Sequence, residues 1–120
     1  MDGLIVKPKW CDKILYHNKR LEVRGFKTRK TGKYIYLLES ETSRVRGTFK
    51  IQRCISIDEE NWEKLRPMHQ VDITYKELLK RYKKPFFWVL DDVKERKDIS
   101  YYLHPKGAVV WVKDVIPTVK

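Results

Sequence analysis

The chain has 120 residues, of which 27 are Lys or Arg and 16 are Asp or Glu, so its formal net charge is +11. This length suits one compact domain, which we expect to span residues 1–120, and its four Trp, seven Tyr and four Phe exclude a disordered basic tail. No membrane-spanning run or secretory signal is visible and there are only two cysteines, so we expect an intracellular, cytoplasmic protein with no cofactor and no metal site.

The first third of the chain predicts two short strands around one helix. Gly3–Lys7 is apolar and predicts a strand, and Pro8 opens a short helix that runs through Tyr16 and stops at His17–Asn18. Arg20–Arg24 alternates polar and apolar residues, which is typical of a half-buried strand. A basic loop follows over residues 25–32.

The middle of the chain predicts strands and then helices. Tyr34–Leu38 is β-rich and predicts a central strand, a polar turn covers Glu39–Ser43, and Val45–Ile57 predicts a long strand bent at Gly47. Asp58 is a suitable N-cap for a helix that Pro67 ends. Thr74 caps a second helix, Tyr75–Tyr82.

The last third predicts two further strands. Phe86–Leu90 predicts a buried strand, Asp91–Asp98 is either a charged extension of it or a loop, and Gly107–Val112 predicts the final strand. The predicted order, β-α-β-β-β-α-α-β-β, indicates a mixed α+β, strand-dominated fold rather than a parallel α/β sheet.

Positive charge is concentrated at the two ends of the chain. Residues 1–35 hold ten Lys or Arg against three Asp or Glu, residues 36–75 hold six against seven, and residues 76–120 hold eleven against six. If the ends meet in space they form one positive face, which attracts phosphate backbones by releasing counterions. The alternative is a charged surface that serves solubility alone.

Lys19, Glu22 and Arg24 are the first candidates for a functional site. Glu22 and Arg24 fall on one face of the predicted strand, where they can hold each other and leave donors for a ligand. Lys19 lies at the strand edge and is expected to turn to either side, with a pKa lowered by Arg24. The alternative reading of the set is an exposed ion pair, which contributes little to stability.

Lys7-Pro8-Lys9-Trp10 is the second candidate, because Trp10 can stack on a base while the two amines meet phosphates. Trp10 is equally well read as the apolar anchor of the first helix. Further phosphate-binding candidates come from the basic loop, namely Lys27, Arg29 and Lys30. We find no glycine-rich phosphate loop and no nucleophile-elbow motif, and the three histidines have no metal-ligand spacing.

Several stretches of the chain resemble the activating signal cointegrator homology (ASCH) domain, a branch of the PUA-like β-barrel superfamily. Lys19, Glu22 and Arg24 match the family pattern G-x-K-x-x-E-x-R, in which His17 takes the place of the glycine. The resembling runs outside this pattern are Leu4–Trp10, Phe87–Leu90 and His104–Trp111. The resemblance implies a PUA-like small β-barrel with flanking helices and a cleft over the motif.

The resemblance also implies a ligand, because the family cleft is thought to bind RNA, DNA or a nucleoside. Some members remove an acetyl group from cytidine with a Lys followed by Thr residues one and three positions later, and others have been described as nucleases. Here those two positions are Arg20 and Glu22. The missing hydroxyl groups favour binding over that chemistry.

Three functions therefore follow as hypotheses. The first is a module that binds RNA, single-stranded DNA or a nucleotide, in which Glu22 accepts from an exocyclic amine, Arg24 donates to the base or phosphate, and a basic rim holds the backbone. The second is a hydrolase of a modified nucleoside or of RNA, with Lys19 and Glu22 as the catalytic pair. The third is a protein-interaction adaptor. The sequence predicts no membrane partner and leaves the oligomeric state open.

Overall fold

A computed structural model describes residues 1–119, and it is strand-dominated with short helices. The elements in chain order are β1 (Gly3–Val6), α1 (Pro8–Tyr16), β2 (Leu21–Arg24), β3 (Tyr34–Glu39), β4 (Arg44–Ser56), α2 (Glu59–Lys64), α3 (Arg66–His69), α4 (Tyr75–Arg81), β5 (Phe86–Tyr101), β6 (Trp111–Val112) and β7 (Thr118–Val119). The mixed α+β class predicted from the sequence is confirmed.

The strands form one sheet that curls into a half-barrel, with the order β2-β5-β4-β3-β1-β6 and β7 paired to β5. Only β1 and β3 run parallel; the other pairings are antiparallel. β1 pairs with β6 through Gly3 and Val112, so the two ends of the chain do meet. β2 is an edge strand and pairs only with β5 within residues 1–119.

Two apolar clusters lie near β2. One packs α1 into the half-barrel around Phe49 and Trp88. The other packs α2 and α4 around Trp62 and Phe87. Successive residues of a strand point to opposite faces, which places Trp88 in one cluster and Phe87 in the other.

The helix starts agree with the sequence prediction. Asp58 and Thr74 cap α2 and α4, and each forms a reciprocal capping box with the third residue of its helix. Pro67 follows the end of α2, as predicted, and it also lies in the first turn of α3. Backbone N–H groups in the first turn of a helix have no partner within the helix, so a proline there costs no hydrogen bond.

The bend predicted at Gly47 is confirmed as a register shift between β4 and β5. A Cβ at Gly47 would lie 2.2 Å from the backbone oxygen of Lys94, so this close approach admits only glycine. Asp91–Asp98 is an extension and not a loop, because the first half of β4 needs an antiparallel partner and β5 supplies one.

The end of the chain differs from the prediction. Only Trp111–Val112 of the expected strand Gly107–Val112 pairs with β1, while Gly107 has a positive φ of 81° and Val109 is 76% exposed. The short strand β7 was not predicted, and Glu39 is the buried last residue of β3 rather than part of a turn. No helix within residues 1–119 is both long enough and apolar enough to cross a bilayer.

Candidate functional site

Lys19 is held in place by the turn that ends α1. Asn18 adopts the left-handed conformation with a φ of 59°, which asparagine tolerates well, and the Lys19 backbone N–H returns to the Lys13 carbonyl at 3.0 Å. The side chain then reaches the C-terminal end of α3, where its amine donates to the backbone carbonyl of His69. Lys19 is only 1% exposed, so the expectation that it turns freely to either side of β2 is wrong.

Burial lowers the pKa of Lys19 to about 8, because the charged form loses the hydration it has in water. Glu22 opposes this shift with its carboxylate, and Lys13 and Arg24 add to it less strongly. The lowered pKa was expected, but its main cause is desolvation rather than Arg24. A fraction of the amine is therefore uncharged in weakly alkaline solution.

Glu22 and Arg24 lie on one face of β2, as the alternation predicted. Arg24 donates to Glu22 Oε2 from Nη2 at 2.8 Å and from Nε at 3.1 Å. Arg24 Nη2 also donates to the carbonyl of Ile5 at 3.1 Å, which joins β2 to β1 across the open side of the half-barrel. Glu22 is 5% exposed, so this is a buried ion pair and not an exposed one.

Glu22 and Arg24 each keep one polar atom that makes no hydrogen bond within the described chain. Glu22 Oε1 lies 3.9 Å from the Lys19 amine, which is an ion pair beyond hydrogen-bond distance, and Arg24 Nη1 makes no hydrogen bond within residues 1–119. Within the described chain, the only side-chain polar atom that is both fully buried and without a hydrogen-bond partner is Arg44 Nε. Glu22 Oε1 and Arg24 Nη1 also have no hydrogen-bond partner, so neither is fully buried and solvent reaches both. The site therefore offers one acceptor and one donor that the protein itself leaves unused.

Two tryptophans pack against these charges. The Lys19 amine lies 4.6 Å from the ring centre of Trp10, and the Arg24 guanidinium lies 5.6 Å from that of Trp88. Both distances fall within the range of cation–π attraction. Trp10 is half-buried, so one part of its ring anchors α1 while another part forms a wall of the site. Trp88 is fully buried and stacks on Trp111.

These groups open into a cavity of about 350 Å³. Five of the nine predicted binding residues line it, namely Lys7, Trp10, Lys19, Glu22 and Arg24. The volume lies at the small end of the range for small-molecule sites. It is bordered on one side by the edge strand β2 and on the other by Ile5 of β1, so the cavity occupies the seam of the half-barrel.

The other four predicted residues do not line the cavity. Lys30 pairs with Asp2 at 2.9 Å, Lys27 lies over the ring of Phe86 at 5.7 Å, and Lys9 lies over the ring of Trp10 at 4.9 Å. Arg29 is exposed in the loop. The basic loop therefore contributes charge to the surface, while part of that charge is already neutralised.

The helical segment between β4 and β5 contributes a wall that the sequence reasoning missed. Its cavity-lining residues are Val71, Ile73, Leu78, Arg81 and Tyr82. The available signal was the basic run over residues 80–84, which is explained equally well by the helix dipole. The helical segment is brought to β2 by contacts between distant parts of the chain. One of them is the hydrogen bond that the Arg20 backbone N–H donates to the Met68 carbonyl at 3.0 Å.

His69 fixes the segment that covers Lys19. Its ring is fully buried and stacks on Trp62 with the ring centres 3.8 Å apart. Nε2 contacts the Trp62 carbonyl at 2.8 Å and Nδ1 accepts from the Val71 backbone N–H at 3.0 Å, which assigns a neutral ring that carries its proton on Nε2. Burial also lowers the pKa of His69, which favours this neutral form.

His17 lies outside the cavity lining and is exposed. Asn18, and not His17, is the residue of this turn that adopts the left-handed conformation. The backbone at position 17 therefore does not require a glycine. The His17 backbone carbonyl accepts from Gln70 at 2.6 Å, which ties this turn to the segment after α3.

Comparison with known proteins shows the fold. No protein-family model and no curated protein sequence matches the chain. The crystal structure of ASCH from Zymomonas mobilis is similar, with a TM-score of 0.61 and 13% identity over 78% of this chain and 68% of that one.

Crystal structures of a serine-to-alanine and a tyrosine-to-phenylalanine variant of that protein give TM-scores of 0.61 and 0.59, both at 14% identity. They cover 80% and 78% of this chain and 70% of theirs. A likeness at such low identity establishes architecture and leaves activity open. This chain therefore has an ASCH-like fold, as the resemblance of its sequence implied.

Proposed function

We propose that the protein binds single-stranded nucleic acid by taking one unpaired base, or a free nucleotide, into the cavity at the seam of the half-barrel. The observation that carries this proposal is that Glu22 and Arg24 both line a cavity of about 350 Å³, while Glu22 Oε1, an acceptor, and Arg24 Nη1, a donor, make no hydrogen bond within residues 1–119. An unpaired base offers the complementary pattern on its Watson–Crick edge.

Each group has a distinct role in the proposed complex. Glu22 accepts from an exocyclic amine of the base, and Arg24 donates to the neighbouring carbonyl or ring nitrogen. Trp10 gives a half-buried aromatic wall on which a base can pack. Lys7 and Arg81 are exposed, line the cavity and make no ion pair within residues 1–119, so they are suited to contact phosphate.

Size and charge favour a single strand over a duplex. A cavity of about 350 Å³ takes one base with its sugar, and a base in a duplex is stacked and paired, so it cannot enter without being extruded. The net charge of +11 supplies the attraction to the backbone. RNA and single-stranded DNA share the chemistry that these contacts recognise.

Titration of a fluorescent ten-nucleotide single strand tests the proposal. We expect binding that weakens linearly with the logarithm of salt concentration, about tenfold or more loss for Glu22→Gln, and much weaker binding of the matching duplex. Glu63→Gln on the exposed face of α2 is the control and should bind like the wild type. Absence of binding in 50 mM salt would contradict the proposal.

Hydrolysis is the second candidate, and the buried amine of Lys19 is the observation that favours it. With a pKa of about 8 and a carboxylate 3.9 Å away, Lys19 can serve as a base or a nucleophile. Incubation with modified nucleosides and RNA, followed by chromatography, tests this candidate. A hydrolase should lose at least about a hundredfold in rate on Lys19→Met, and equal turnover by both proteins would remove Lys19 from catalysis.

A further inference from the structure

Four cations lie within five residues at and just beyond the C-terminal end of α4, at Lys80, Arg81, Lys83 and Lys84. All four are exposed, and none has a carboxylate within ion-pair distance in the described chain. By contrast, Lys30 in the predicted rim is paired with Asp2. Glu77, in the first turn of α4, interacts electrostatically with Lys80 and Arg81 without forming an ion pair within 4 Å. The α4 end is therefore a dense site of positive charge.

The helix dipole accounts for only part of this charge. Lys80 and Arg81 lie in the last turn of α4, where a cation is favoured by the carbonyl ends of the helix. Lys83 and Lys84 follow Tyr82, which caps α4 in an extended conformation with φ −133° and ψ 130°. The dipole effect falls off within the last turn, so these two lysines gain little from it.

The charged segment begins at the cavity itself. Arg81 and Tyr82 both line it. The ring of Tyr82 packs closely on Gly25, the residue after β2. A Cβ added at Gly25 would lie only 2.6 Å from Tyr82 Cδ1. Lys84 is three residues beyond Arg81, which is at most about 10 Å of extended chain. The two lysines thus lie within a few nucleotides' length of the cavity mouth.

We infer that a nucleic acid strand with one base in the cavity continues over the end of α4, where Lys83 and Lys84 contact the phosphates next to that base. The inference rests on the proposed function and adds the direction in which the strand leaves the cavity. Arg81 contacts the phosphate of the inserted nucleotide, and the two lysines contact phosphates that a free nucleotide does not have. Lysine is suited to this role as a point charge on a flexible stem.

The test compares two probes, cytidine 5′-monophosphate and a ten-nucleotide single-stranded RNA, by calorimetry and anisotropy. Lys83→Ala/Lys84→Ala should weaken binding of the RNA about tenfold near 0.1 M salt and reduce the salt slope by about 1.4, since each single-strand phosphate contact contributes about 0.7. Binding of the mononucleotide should not change. Lys94→Ala/Lys97→Ala on β5 removes the same charge from residues outside the cavity lining and should leave both probes nearly unaffected.

The outcomes separate the two proposals. If the wild type binds RNA but both double variants lose affinity equally, the strand does not cross the end of α4 and the inference is wrong, while the base-binding cavity stands. If Lys83→Ala/Lys84→Ala weakens the mononucleotide as much as the RNA, the lysines belong to the cavity and the strand path is also wrong. If the wild type binds neither probe, the proposed function fails and the inference fails with it.

Discussion

Replacing Lys19 by methionine is expected to remove a pH dependence of stability between pH 8 and 10.5. Lysine has a pKa of 10.5 in the unfolded chain and about 8 in the folded protein, so between these values the unfolded state holds a proton that the folded state lacks. Stability therefore rises with pH across this interval. The difference between the two pKa values corresponds to about 3 kcal/mol of unfolding free energy. Solvent screening reduces this contribution little, because Lys19 is 1% exposed.

The measurement is urea unfolding of wild type and Lys19→Met at intervals from pH 7 to 10.5. The difference between their unfolding free energies should shift by about 3 kcal/mol in favour of the wild type as the pH rises. Lys97→Met removes an exposed lysine and is expected to follow the wild type at every pH. A constant difference between wild type and Lys19→Met would show that Lys19 is solvated in the folded protein.

Replacing Glu22 by alanine has the second large effect, an expected loss of about 3–5 kcal/mol of stability. The carboxylate accepts two hydrogen bonds from Arg24 and faces the amine of Lys19. Its removal leaves the guanidinium of Arg24, which is 16% exposed, without a counter-ion and the Lys19 amine without the charge that raises its pKa. The midpoint of urea unfolding should fall by about 2 M.

Glu63→Ala is the control for this second prediction. Glu63 also pairs with an arginine, Arg66, at 2.9 Å, but its side chain is 56% exposed. An exposed pair of this kind contributes about 1 kcal/mol or less. If Glu22→Ala and Glu63→Ala lower the unfolding midpoint equally, the ion pair of Glu22 and Arg24 is not buried as described.

Much of the local structure around the site was predictable from short-range patterns. The alternation in β2 places Glu22 and Arg24 on one face, and the capping residues Asp58 and Thr74 mark two helix starts. Each of these signals lies within a few residues of sequence. The shared face of Glu22 and Arg24 and the starts of α2 and α4 therefore followed from the sequence, whereas the separate helix α3 did not.

The burial of Lys19 was not predictable, because it depends on residues about fifty positions away. The carbonyl of His69 accepts from its amine, and that segment is held by the stacking of His69 on Trp62. A lysine beside a strand is ordinarily exposed, and nothing local marks this one as an exception. The cavity wall contributed by Arg81 and Tyr82 was missed for the same reason.

Charge was a poor guide in two further places. The stretch Asp91–Asp98 is dominated by charged residues, which does not distinguish a loop from a strand, and its partner in β4 decides the matter. In the basic loop, the charge of Lys30 is taken up by Asp2, a residue 28 positions earlier. Net charge predicts a polyanionic partner, whereas ion pairing decides which cations are available to bind one.

A crystal structure of the protein with a short single-stranded RNA tests the base-binding cavity most directly. We expect one base inside the cavity, with an amine of that base within hydrogen-bond distance of Glu22 Oε1 and an acceptor next to Arg24 Nη1. An RNA ordered on the outer surface, with the cavity filled by solvent alone, would contradict the proposed function.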